Sequence, residues 1–287
     1  MTITRDIRNN LKIRSMPGSS DYVSPSFGWG CLYDCSYCFI KRYKPKGISI
    51  SKNINQILTE IHNHSLFALS EITKPNNTHS SYITYDIGNG EDFARNAEHH
   101  EWKRIFDFFK NHDKIMATFS TKYINEKLLE YNPKQKIRIR ISLIPESKRK
   151  IHEPDTSTIL ERVQAIEKFK KAGYEVYLSF SPIIVYDGWL NDYEELFSLI
   201  NNNVLNENGI YAECIFLTHN TDKHYENLLK NPKTEKDLWV EEMQEQELSL
   251  HGSQDIKYQD DLKNKFIEAF IKEHKNIIPW NRIKYIY

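Results

Sequence analysis

Three cysteines lie within eight residues near the start of the chain, in the segment CLYDCSYC. Cys31, Cys35 and Cys38 are separated by three and then two residues. Thiolates bind soft metal centres, and three of them on one short loop can ligate a single iron–sulfur cluster. A structural zinc site needs four ligands, usually as two pairs far apart in sequence. No second CxxC pair and no HxxxH pair exist here, and Cys214 stands alone in an apolar segment.

Three thiolates leave one iron of a [4Fe–4S] cluster without a protein ligand. That iron can bind the amino and carboxylate groups of S-adenosylmethionine (SAM), which is the arrangement needed for its reductive cleavage. We therefore predict a [4Fe–4S] cluster on Cys31, Cys35 and Cys38, with SAM as the second cofactor. The alternative is a set of incidental or zinc-binding cysteines.

Strand-like and helix-like segments alternate after the cysteines, and these elements must position them. Alternating or continuous apolar residues predict strands, whereas apolar residues spaced by three or four predict helices. With a first strand just before the cysteines, there are about six β-α repeats. This pattern predicts an α/β fold with an open or partial (β/α)6 barrel, whose active site lies at the carboxyl ends of the strands. The predicted strands are 81–86, 114–121, 136–144, 175–185 and 211–218, and the predicted helices are 53–64, 98–112, 125–131, 156–171 and 192–202.

The last part of the chain has a different composition. From about Asn220 it is charged and rich in Glu and Lys, with one amphipathic helix at 260–274. We predict that residues 1–219 form the barrel, with a cluster loop at 31–38. Residues 220–287 are predicted to form a small, mostly helical C-terminal extension that packs on the barrel and shapes the substrate site.

Composition narrows the class of protein. A length of 287 residues fits one large domain, or one domain with a small appendage. The 39 Lys and Arg balance the 39 Asp and Glu, which argues against bulk electrostatic capture of nucleic acid or anionic membrane but allows a local basic patch. Mean hydropathy is −0.63 and no apolar run reaches the roughly 18–20 residues of a membrane span. With few cysteines and no apolar signal stretch at 1–17, a cytoplasmic protein is predicted.

Several motifs together resemble the radical SAM superfamily, whose signature is CxxxCxxC after the first strand of a partial (β/α)6 barrel. Within it the chain is most similar to the spore photoproduct lyase family, over roughly residues 25–219. The similar segments are GCLYDCSYCF (30–39), STK (120–122), RIRIS (138–142), HEPDTS (152–157), ERVQAIEKFKKAGYEV (161–176) and SPIIVYDGW (181–189), with KYIY (284–287) near the C-terminus.

The resemblance implies roles for particular residues. The three cysteines carry the cluster, and Tyr37, between the last two, is the catalytic candidate. The turn GNGED (88–92) is similar to the superfamily's glycine-glutamate motif, which meets the methionyl amino group. Lys122 and Ser142 fall where the lyases contact the cofactor at strand ends. The predicted SAM-binding residues are therefore Asn89, Gly90, Glu91, Lys122 and Ser142.

Each of these residues also has an ordinary structural interpretation. Glu91 and Asp92 could cap the following helix, where negative charge is favourable. Lys122 could be a solvated charge, and Ser142 a core hydroxyl bonded to backbone. Chemically, Glu91 can accept hydrogen bonds from an ammonium, and Lys122 can pair with a carboxylate or bond ribose hydroxyls.

The chain differs from the lyases in the residues that the family uses for the last step of its reaction. In that family, a cysteine on the second-strand loop returns a hydrogen atom to the thymine product, and tyrosines flank the last cluster cysteine. Here no cysteine lies between Cys38 and Cys214, and Phe39 replaces one of the tyrosines. The resemblance therefore implies formation of a 5′-deoxyadenosyl radical that abstracts substrate hydrogen, with a different final hydrogen donor.

The substrate is predicted from basic and aromatic groups, which suit a phosphate-bearing, stackable ligand. We expect a nucleic-acid base or nucleotide, in a lyase-like repair or modification of DNA, and an electron donor such as flavodoxin or ferredoxin. The alternatives are a radical SAM enzyme on a peptide or small metabolite, and a non-enzymatic, metal-stapled interaction module. The candidate substrate-binding residues are Lys41, Arg42, Tyr43, Arg282 and Tyr285; Arg138, Arg140, Lys148, Arg149 and Lys150 form a further basic group, alternatively a solvated loop.

Four further features receive structural predictions. Glu153, in the HEP segment, is expected to anchor a loop or a helix start, and Cys214 to be a buried apolar residue. Gly173 suits a helix C-cap. The aromatic stripe of helix 98–112 is assigned to the core. His219 is left open between a functional and a structural role.

Overall fold

The computed structural model describes residues 2–16, 18–38, 40, 47–71, 78–205, 208–248 and 254–287. It divides into two compact units. Unit 1 comprises Met1–Leu32, Pro45–Ile141 and Ala165–Leu178, and unit 2 comprises Tyr33–Lys44, Ser142–Gln164 and Ser179–Tyr287. The predicted domain boundary after residue 219 stays a prediction.

Unit 1 contains most of the strands from the first half of the chain. In the larger sheet, β3 pairs in parallel with β6, β6 with β7 and β7 with β8, while β2 lies antiparallel to β3. In the smaller sheet, β5 pairs in parallel with β1 and antiparallel with β4. These strands are β1 (Thr2–Asp6), β2 (Arg14–Ser15), β3 (Tyr22–Val23), β4 (Gly28–Trp29), β5 (Gly47–Ser51), β6 (Ile83–Asp86), β7 (Ile115–Thr121) and β8 (Ile137–Ser142).

The first parallel strand is not the one expected from the sequence. The strand just before the cysteines is β4, which pairs with β5 instead of joining the parallel series. The strand that pairs in parallel with β6 is β3, several residues earlier. Both are two residues long, so neither has an apolar alternation that could have been read in advance.

Helices α1 (Ile54–Glu71), α2 (Phe93–Asn96), α3 (Trp102–Lys110) and α4 (Glu126–Leu129) follow the strands of unit 1. The aromatic stripe of α3 is core, as predicted: Phe106 and Phe109 are fully buried, although Phe108 is only half-buried. Phe106 packs 6.1 Å, ring centre to ring centre, from Phe119 of β7. Burying each such side chain contributes about 1.5–3 kcal/mol. Strand β7 is buried at every position except Ser120, as is typical of a parallel strand covered on both faces.

Three elements continue from one unit into the other, the first being β8, whose last residue, Ser142, belongs to unit 2. Helix α5 (Glu146–His152) belongs to unit 2, but α6 (Ile159–Lys171) and β9 (Glu175–Ile183) are each divided between the units. Gly173 has φ +96° just after α6, so the predicted glycine C-cap is confirmed. A Cβ at this position would overlap the Asn132 side chain.

Unit 2 contains the elements of the second half of the chain. Helices α7 (Trp189–Asn203), α8 (Thr221–Lys230), α9 (Pro232–Leu238) and α10 (Asp260–Ile277) are accompanied by β10 (Tyr211–Phe216), β11 (His219–Asn220), β12 (Gln244–Leu248), β13 (Gln254–Tyr258) and β14 (Arg282–Ile286). Helices α7 and α10 pack through aromatic rings, with Phe197 and Phe270 5.3 Å apart. Strand β14 pairs in parallel with β10, and β13 pairs antiparallel with β11 and β12.

The segment after residue 219 therefore has helices as its main regular structure, together with short strands that the sequence did not reveal. Among the described residues, no helix combines the length and apolar character that a membrane span requires.

Candidate active site

The second half of the cluster loop forms a turn in unit 2. The Cys38 amide donates a hydrogen bond to the Cys35 carbonyl at 3.1 Å, and the Ser36 amide donates to the His152 carbonyl at 3.0 Å. All four cysteines lie in the described part of the chain, and none forms a disulfide. Cys35 is buried, whereas Cys31 and Cys38 are half-buried. Three thiols on one loop are the donor set that a [4Fe–4S] cluster with one open iron requires.

A network around Glu153 holds this turn. The Tyr37 hydroxyl donates to Glu153 Oε1, and Arg162 donates to Glu153 Oε2 at 2.7 Å. The Glu153 and Arg162 side chains are both 0% exposed, so a buried carboxylate is paired with a buried guanidinium. The expected anchoring role of Glu153 is confirmed. We refer to Tyr37, Glu153 and Arg162 as the Glu153 network.

The phenol of Tyr37 keeps its proton in this network. Burial, reinforced by the negative charge of Glu153, raises the pKa of Tyr37 well above its ordinary value. Tyr37 therefore stays a hydrogen-bond donor across the physiological pH range. Its predicted catalytic role stays a prediction.

Arg162 also reaches the end of β8. It donates to the Ser142 carbonyl at 2.9 Å and to Thr156 Oγ1 at 2.7 Å. The Ser142 side chain is buried, and its hydroxyl donates to the Ser181 carbonyl at 3.0 Å. This bond agrees with the core-hydroxyl interpretation of Ser142, although the oxygen can still accept a hydrogen bond. Sequence reasoning missed Arg162 because a lone arginine in an amphipathic helix resembles a surface charge.

A second set of contacts binds the turn to the segment after residue 220. Ser36 Oγ lies 2.9 Å from His152 Nδ1, and His152 Nε2 lies 2.7 Å from Asp237 Oδ2. Because a carboxylate can only accept, we assign the imidazole proton to Nε2. Lys148 pairs with the other oxygen of Asp237 at 2.7 Å. Asn227 Nδ2 donates to the Ser36 carbonyl at 3.0 Å.

In unit 1, a network around Glu91 holds the residue that precedes Cys31. Glu91 Oε2 accepts from Asn96 Nδ2 at 2.7 Å and from His100 Nε2 at 2.9 Å. The same Asn96 amide donates to the Gly30 carbonyl at 3.0 Å, and the Gly30 amide donates to the Gly90 carbonyl at 2.9 Å. We refer to Glu91, Asn96, His100 and Gly30 as the Glu91 network.

The other oxygen of Glu91 has no hydrogen-bond partner among the described residues. Oε1 is buried, as are the similarly unpartnered Asn96 Oδ1 and His100 Nδ1. A Cβ at Gly28 would overlap the Glu91 carboxylate, so the backbone of Gly28 lies close against it. The half-buried Arg8 interacts electrostatically with Glu91. A buried carboxylate oxygen without a donor is costly, and the ammonium of SAM would supply the missing donor. The residues present therefore fit SAM.

Asp92, and not Glu91, caps the following helix. Asp92 accepts from the Arg95 amide at 3.1 Å, from Thr121 Oγ1 at 2.6 Å and from the Lys122 amide at 2.8 Å. Burial raises the pKa of Asp92 above its ordinary value despite these hydrogen bonds. The hydrogen bond from its backbone amide to Asp92 fixes Lys122 at the end of β7, and the residue is half-buried. Asn89, in the turn that precedes Asp92, is also half-buried.

The structure corrects the prediction that the basic residues in and after β8 form a substrate-binding group. Arg138 is 1% exposed and pairs with Glu175 at 3.1 Å, while Arg140 pairs with Asp86 at 2.5 Å. With Lys148 held by Asp237, these three charges are satisfied inside the protein and form no nucleic-acid surface. Arg149 is half-buried and pairs with Glu146 at 2.9 Å, whereas Lys150 is exposed, in agreement with the solvated interpretation for that residue.

The remaining substrate-binding candidates differ in what the structure describes. Lys41, Arg42 and Tyr43 lie outside the described residues, as does Phe39. Arg282 is exposed and Tyr285 is half-buried, both on β14.

Solved structures of spore photoproduct lyase share this fold. A variant with bound AdoMet and dinucleoside spore photoproduct matches with a TM-score of 0.88 at 21% identity, covering 99% of this chain and 82% of that one. A spore photoproduct lyase complexed with dinucleoside spore photoproduct matches with a TM-score of 0.87 at 20% identity, with the same coverage. The predicted α/β partial-barrel fold is confirmed. This fold, combined with the cysteine loop, is typical of the radical SAM enzymes.

Sequence comparison identifies the family. The family model described as spore photoproduct lyase matches residues 1–287. Spore photoproduct lyase of Bacillus subtilis (strain 168) is 26% identical over 290 residues, which cover 99% of this chain and 81% of the relative. Spore photoproduct lyase of Geobacillus sp. (strain Y412MC61) is 29% identical over 200 residues, which cover 68% of this chain and 55% of the relative. The chain belongs to the spore photoproduct lyase family. This agrees with the predicted enzyme class and with its cofactors, a [4Fe–4S] cluster and SAM.

Proposed function

We propose that this enzyme generates a radical from SAM and uses it to abstract hydrogen from a nucleic-acid base or nucleotide. The observation that carries the proposal is the buried Oε1 of Glu91, which has no donor among the described residues. The Glu91 carboxylate lies close against the backbone of Gly28. An ammonium is the donor that a buried carboxylate binds most strongly. The neighbouring Gly30 leads directly into Cys31, so the same network orders the start of the cluster loop.

The cofactors would be held by this chain's own side chains as follows. Cys31, Cys35 and Cys38 would hold the cluster, which when bound supplies the electron that splits SAM into methionine and a 5′-deoxyadenosyl radical. Glu91 accepts hydrogen bonds from the methionyl ammonium, and Lys122 pairs with the carboxylate or bonds the ribose hydroxyls. Asn89, Gly90 and Ser142 contribute the remaining contacts to SAM.

Tyr37 acts next to the cysteine ligands. Its protonated hydroxyl binds Glu153 and keeps the turn between Cys35 and Cys38 in place. We keep Tyr37 as the catalytic candidate because it lies between two proposed ligands.

The substrate proposal rests on the family. Spore photoproduct lyase structures contain dinucleoside spore photoproduct, so a thymine dinucleoside lesion is the first substrate to test. Basic and aromatic side chains would hold it, and the electron donor would be a flavodoxin or ferredoxin in the cytoplasm. The proposed contact residues are Lys41, Arg42, Tyr43, Arg282 and Tyr285, with the segment 220–287 shaping the site.

The final hydrogen donor differs from the thiol that the family resemblance implies. The sequence has no cysteine between Cys38 and Cys214. Cys214 is fully buried in β10, as predicted, and burial raises the pKa of its thiol well above the ordinary value. A buried, protonated thiol is inert. We therefore propose that the product radical is quenched by a group other than a thiol of this chain.

Deuterium transfer tests the proposal directly. The anaerobically reconstituted full-length protein is incubated with SAM, dithionite and a deuterated dinucleoside spore photoproduct, and 5′-deoxyadenosine is analysed by mass spectrometry. Deuterium in 5′-deoxyadenosine identifies both the substrate and the abstraction step. Cys35→Ala should abolish cluster and cleavage, whereas Cys214→Ala should retain both.

Three outcomes contradict the proposal in different ways. Deuterium transfer from a peptide but from no nucleotide would support the peptide alternative. A colourless zinc protein without SAM cleavage would support the interaction module. Cleavage that survives in Cys35→Ala would show that the assignment of cluster ligands is wrong.

A further inference from the structure

Two histidines and a glutamate of unit 2 lie close together and are not part of the cluster loop. His219 lies on β11, His224 on α8 and Glu235 on α9. One possible ligand atom from each of the three residues lies within 4.8 Å of the other two. The distances to Glu235 Oε1 are 3.1 Å from His219 and 2.5 Å from His224. We refer to these three residues as the His–Glu group.

Burial makes this arrangement costly unless something binds it. The Glu235 side chain is 0% exposed and that of His219 is 2% exposed. No lysine or arginine among the described residues forms an ion pair with Glu235. His219 Nε2 is buried and, despite its closeness to Glu235, has no partner with hydrogen-bond geometry in the described part of the chain. Two imidazoles that converge on one buried carboxylate, one of them 3.1 Å away without hydrogen-bond geometry, indicate a cation that engages all three groups.

A cavity adjoins the His–Glu group. Its volume is about 420 Å³, and His224, Glu235 and Trp239 contribute to its wall. His224 is the most exposed of the three, at 18%. Three protein ligands beside an open space are typical of transition-metal sites that keep one coordination position free. Two histidines and one glutamate occur in catalytic zinc sites, and two histidines with one carboxylate in non-haem ferrous sites.

The surrounding residues fix the orientation of the group. Asn227 Nδ2 donates to the second oxygen of Glu235 at 2.8 Å, leaving Oε1 directed at the histidines. The Trp239 ring stacks on His219, with ring centres 5.8 Å apart and planes at 27°. Metal ligands commonly depend on such supporting contacts. Asn227 also binds the Ser36 carbonyl, so it connects the His–Glu group to the cluster loop.

We propose that His219, His224 and Glu235 bind one divalent transition-metal ion, with Zn²⁺ as the ion to test first, and that its open coordination position faces the cavity. Imidazole and carboxylate ligands suit zinc and ferrous ions, whereas Mg²⁺ and Ca²⁺ prefer oxygen ligands alone. The site shares no residue with the cysteine ligands, and the proposal does not depend on the proposed SAM chemistry.

Zinc binding to the cluster-loaded protein tests the proposal. The full-length protein is reconstituted anaerobically, so that the cluster cysteines are occupied, and dialysed against buffered Zn²⁺. We expect one equivalent of zinc by elemental analysis. The zinc K-edge X-ray absorption spectrum should show nitrogen and oxygen ligands without sulfur. Sulfur scattering would place the zinc on the cysteines and overturn the proposal.

Variants locate the ion. His224→Ala and Glu235→Gln should each weaken zinc binding by more than about 100-fold, and Asn227→Ala by about 10- to 100-fold. His99→Ala, which changes a half-buried histidine of unit 1, should bind zinc as the wild type does. Circular dichroism and cluster content confirm that each variant is folded; His224 is partly exposed, which favours folding of that variant. Full zinc binding by both folded variants, His224→Ala and Glu235→Gln, would overturn the proposal, as would no zinc binding by the wild type.

Discussion

Two buried glutamates, one in each unit, hold residues of the cluster loop in different ways. The side chains of Glu91 and Glu153 are both 0% exposed. Glu153 has a cationic partner, Arg162, on one oxygen and the Tyr37 hydroxyl on the other. The hydrogen-bond partners of Glu91 are the Asn96 amide and the His100 imidazole, both on the same oxygen, whereas the Arg8 cation contributes an electrostatic interaction. Its second oxygen has no hydrogen-bond partner among the described residues.

This difference separates a structural anchor from a ligand-binding group. Buried polar atoms in folded proteins are almost always hydrogen-bonded, so an exception needs an explanation. Glu153 needs none, because both of its oxygens are engaged within the protein. Glu91 retains one buried acceptor without a donor among the described residues, and a cationic ligand can supply that donor. The comparison predicts that variants of the Glu153 network lose stability, whereas those of Glu91 lose ligand affinity.

The largest effect is expected for Arg162→Ala. It leaves the Glu153 carboxylate buried without its cation, and breaking a buried pair in this way costs about 3–5 kcal/mol. The measurement is urea unfolding of the full-length protein. Arg104→Ala is the control, because the Arg104–Glu101 pair is exposed and such pairs contribute about 1 kcal/mol or less. A loss in Arg162→Ala no larger than in the control would contradict the anchoring role.

Glu91→Gln should reduce SAM affinity more than stability. The amide keeps an acceptor for Asn96 and His100 but presents no charge to an ammonium. Since hydrogen bonds to charged groups contribute about 1.5–3 kcal/mol, the dissociation constant for SAM should rise about 10- to 100-fold. Equilibrium dialysis of the cluster-loaded protein measures it, with the exposed Glu98→Gln as control. Unchanged SAM affinity in a folded, cluster-loaded Glu91→Gln would remove Glu91 from the site.

The sequence predicted the elements with strong periodicity and missed those without it. Helix α3 and strand β7 are long enough to show an apolar stripe or a continuous apolar run, and both were placed to within a few residues. The two-residue strands β3 and β4 carry no such pattern. Pairing of β14 with β10 depends on contacts between residues about 70 positions apart, which no local pattern specifies.

The residues of the candidate site show the same contrast between those that the sequence predicted and those that it did not. The cysteines and Glu91 were found because their spacing is local and chemically distinctive. Asn96 and His100 follow Glu91 by only five and nine residues, yet polar side chains in helical segments are usually exposed, so nothing marked them as buried partners. Arg138 was misread for a related reason: its charge is visible in sequence, but its partner Glu175 lies in another strand.

Tyr37→Phe should have an intermediate effect on stability. It removes the donor to Glu153 Oε1 and leaves a buried acceptor unsatisfied, which costs about 1–3 kcal/mol. SAM affinity should stay at the wild-type value. Urea unfolding and SAM dialysis measure the two quantities, and Tyr225→Phe, at an exposed tyrosine, controls for loss of a phenol. Wild-type stability combined with lost deuterium transfer would instead assign Tyr37 a role in the chemistry.

The smallest effect is a pH dependence from His152, which joins Ser36 of the cluster loop to Asp237. Burial lowers the pKa of His152 below its ordinary value of 6.5, although Asp237 opposes the shift. Well above pH 6.5 both the folded and unfolded chains hold this imidazole neutral, and its contribution is constant. As the pH falls through 6.5, the unfolded chain takes up the proton first, so stability decreases by up to about 1.4 kcal/mol per pH unit.

His152→Gln should remove that part of the slope. Urea unfolding between about pH 8 and pH 5 should show a shallower loss of stability in the variant than in the wild type. The comparison must be made between slopes, because other buried histidines, such as His274, also have lowered pKa values and contribute to the wild-type curve. Equal slopes in His152→Gln and the wild type would mean that His152 takes up its proton as readily in the folded protein as in the unfolded chain. The link from Ser36 through His152 to Asp237 would then contribute equally to stability at every pH.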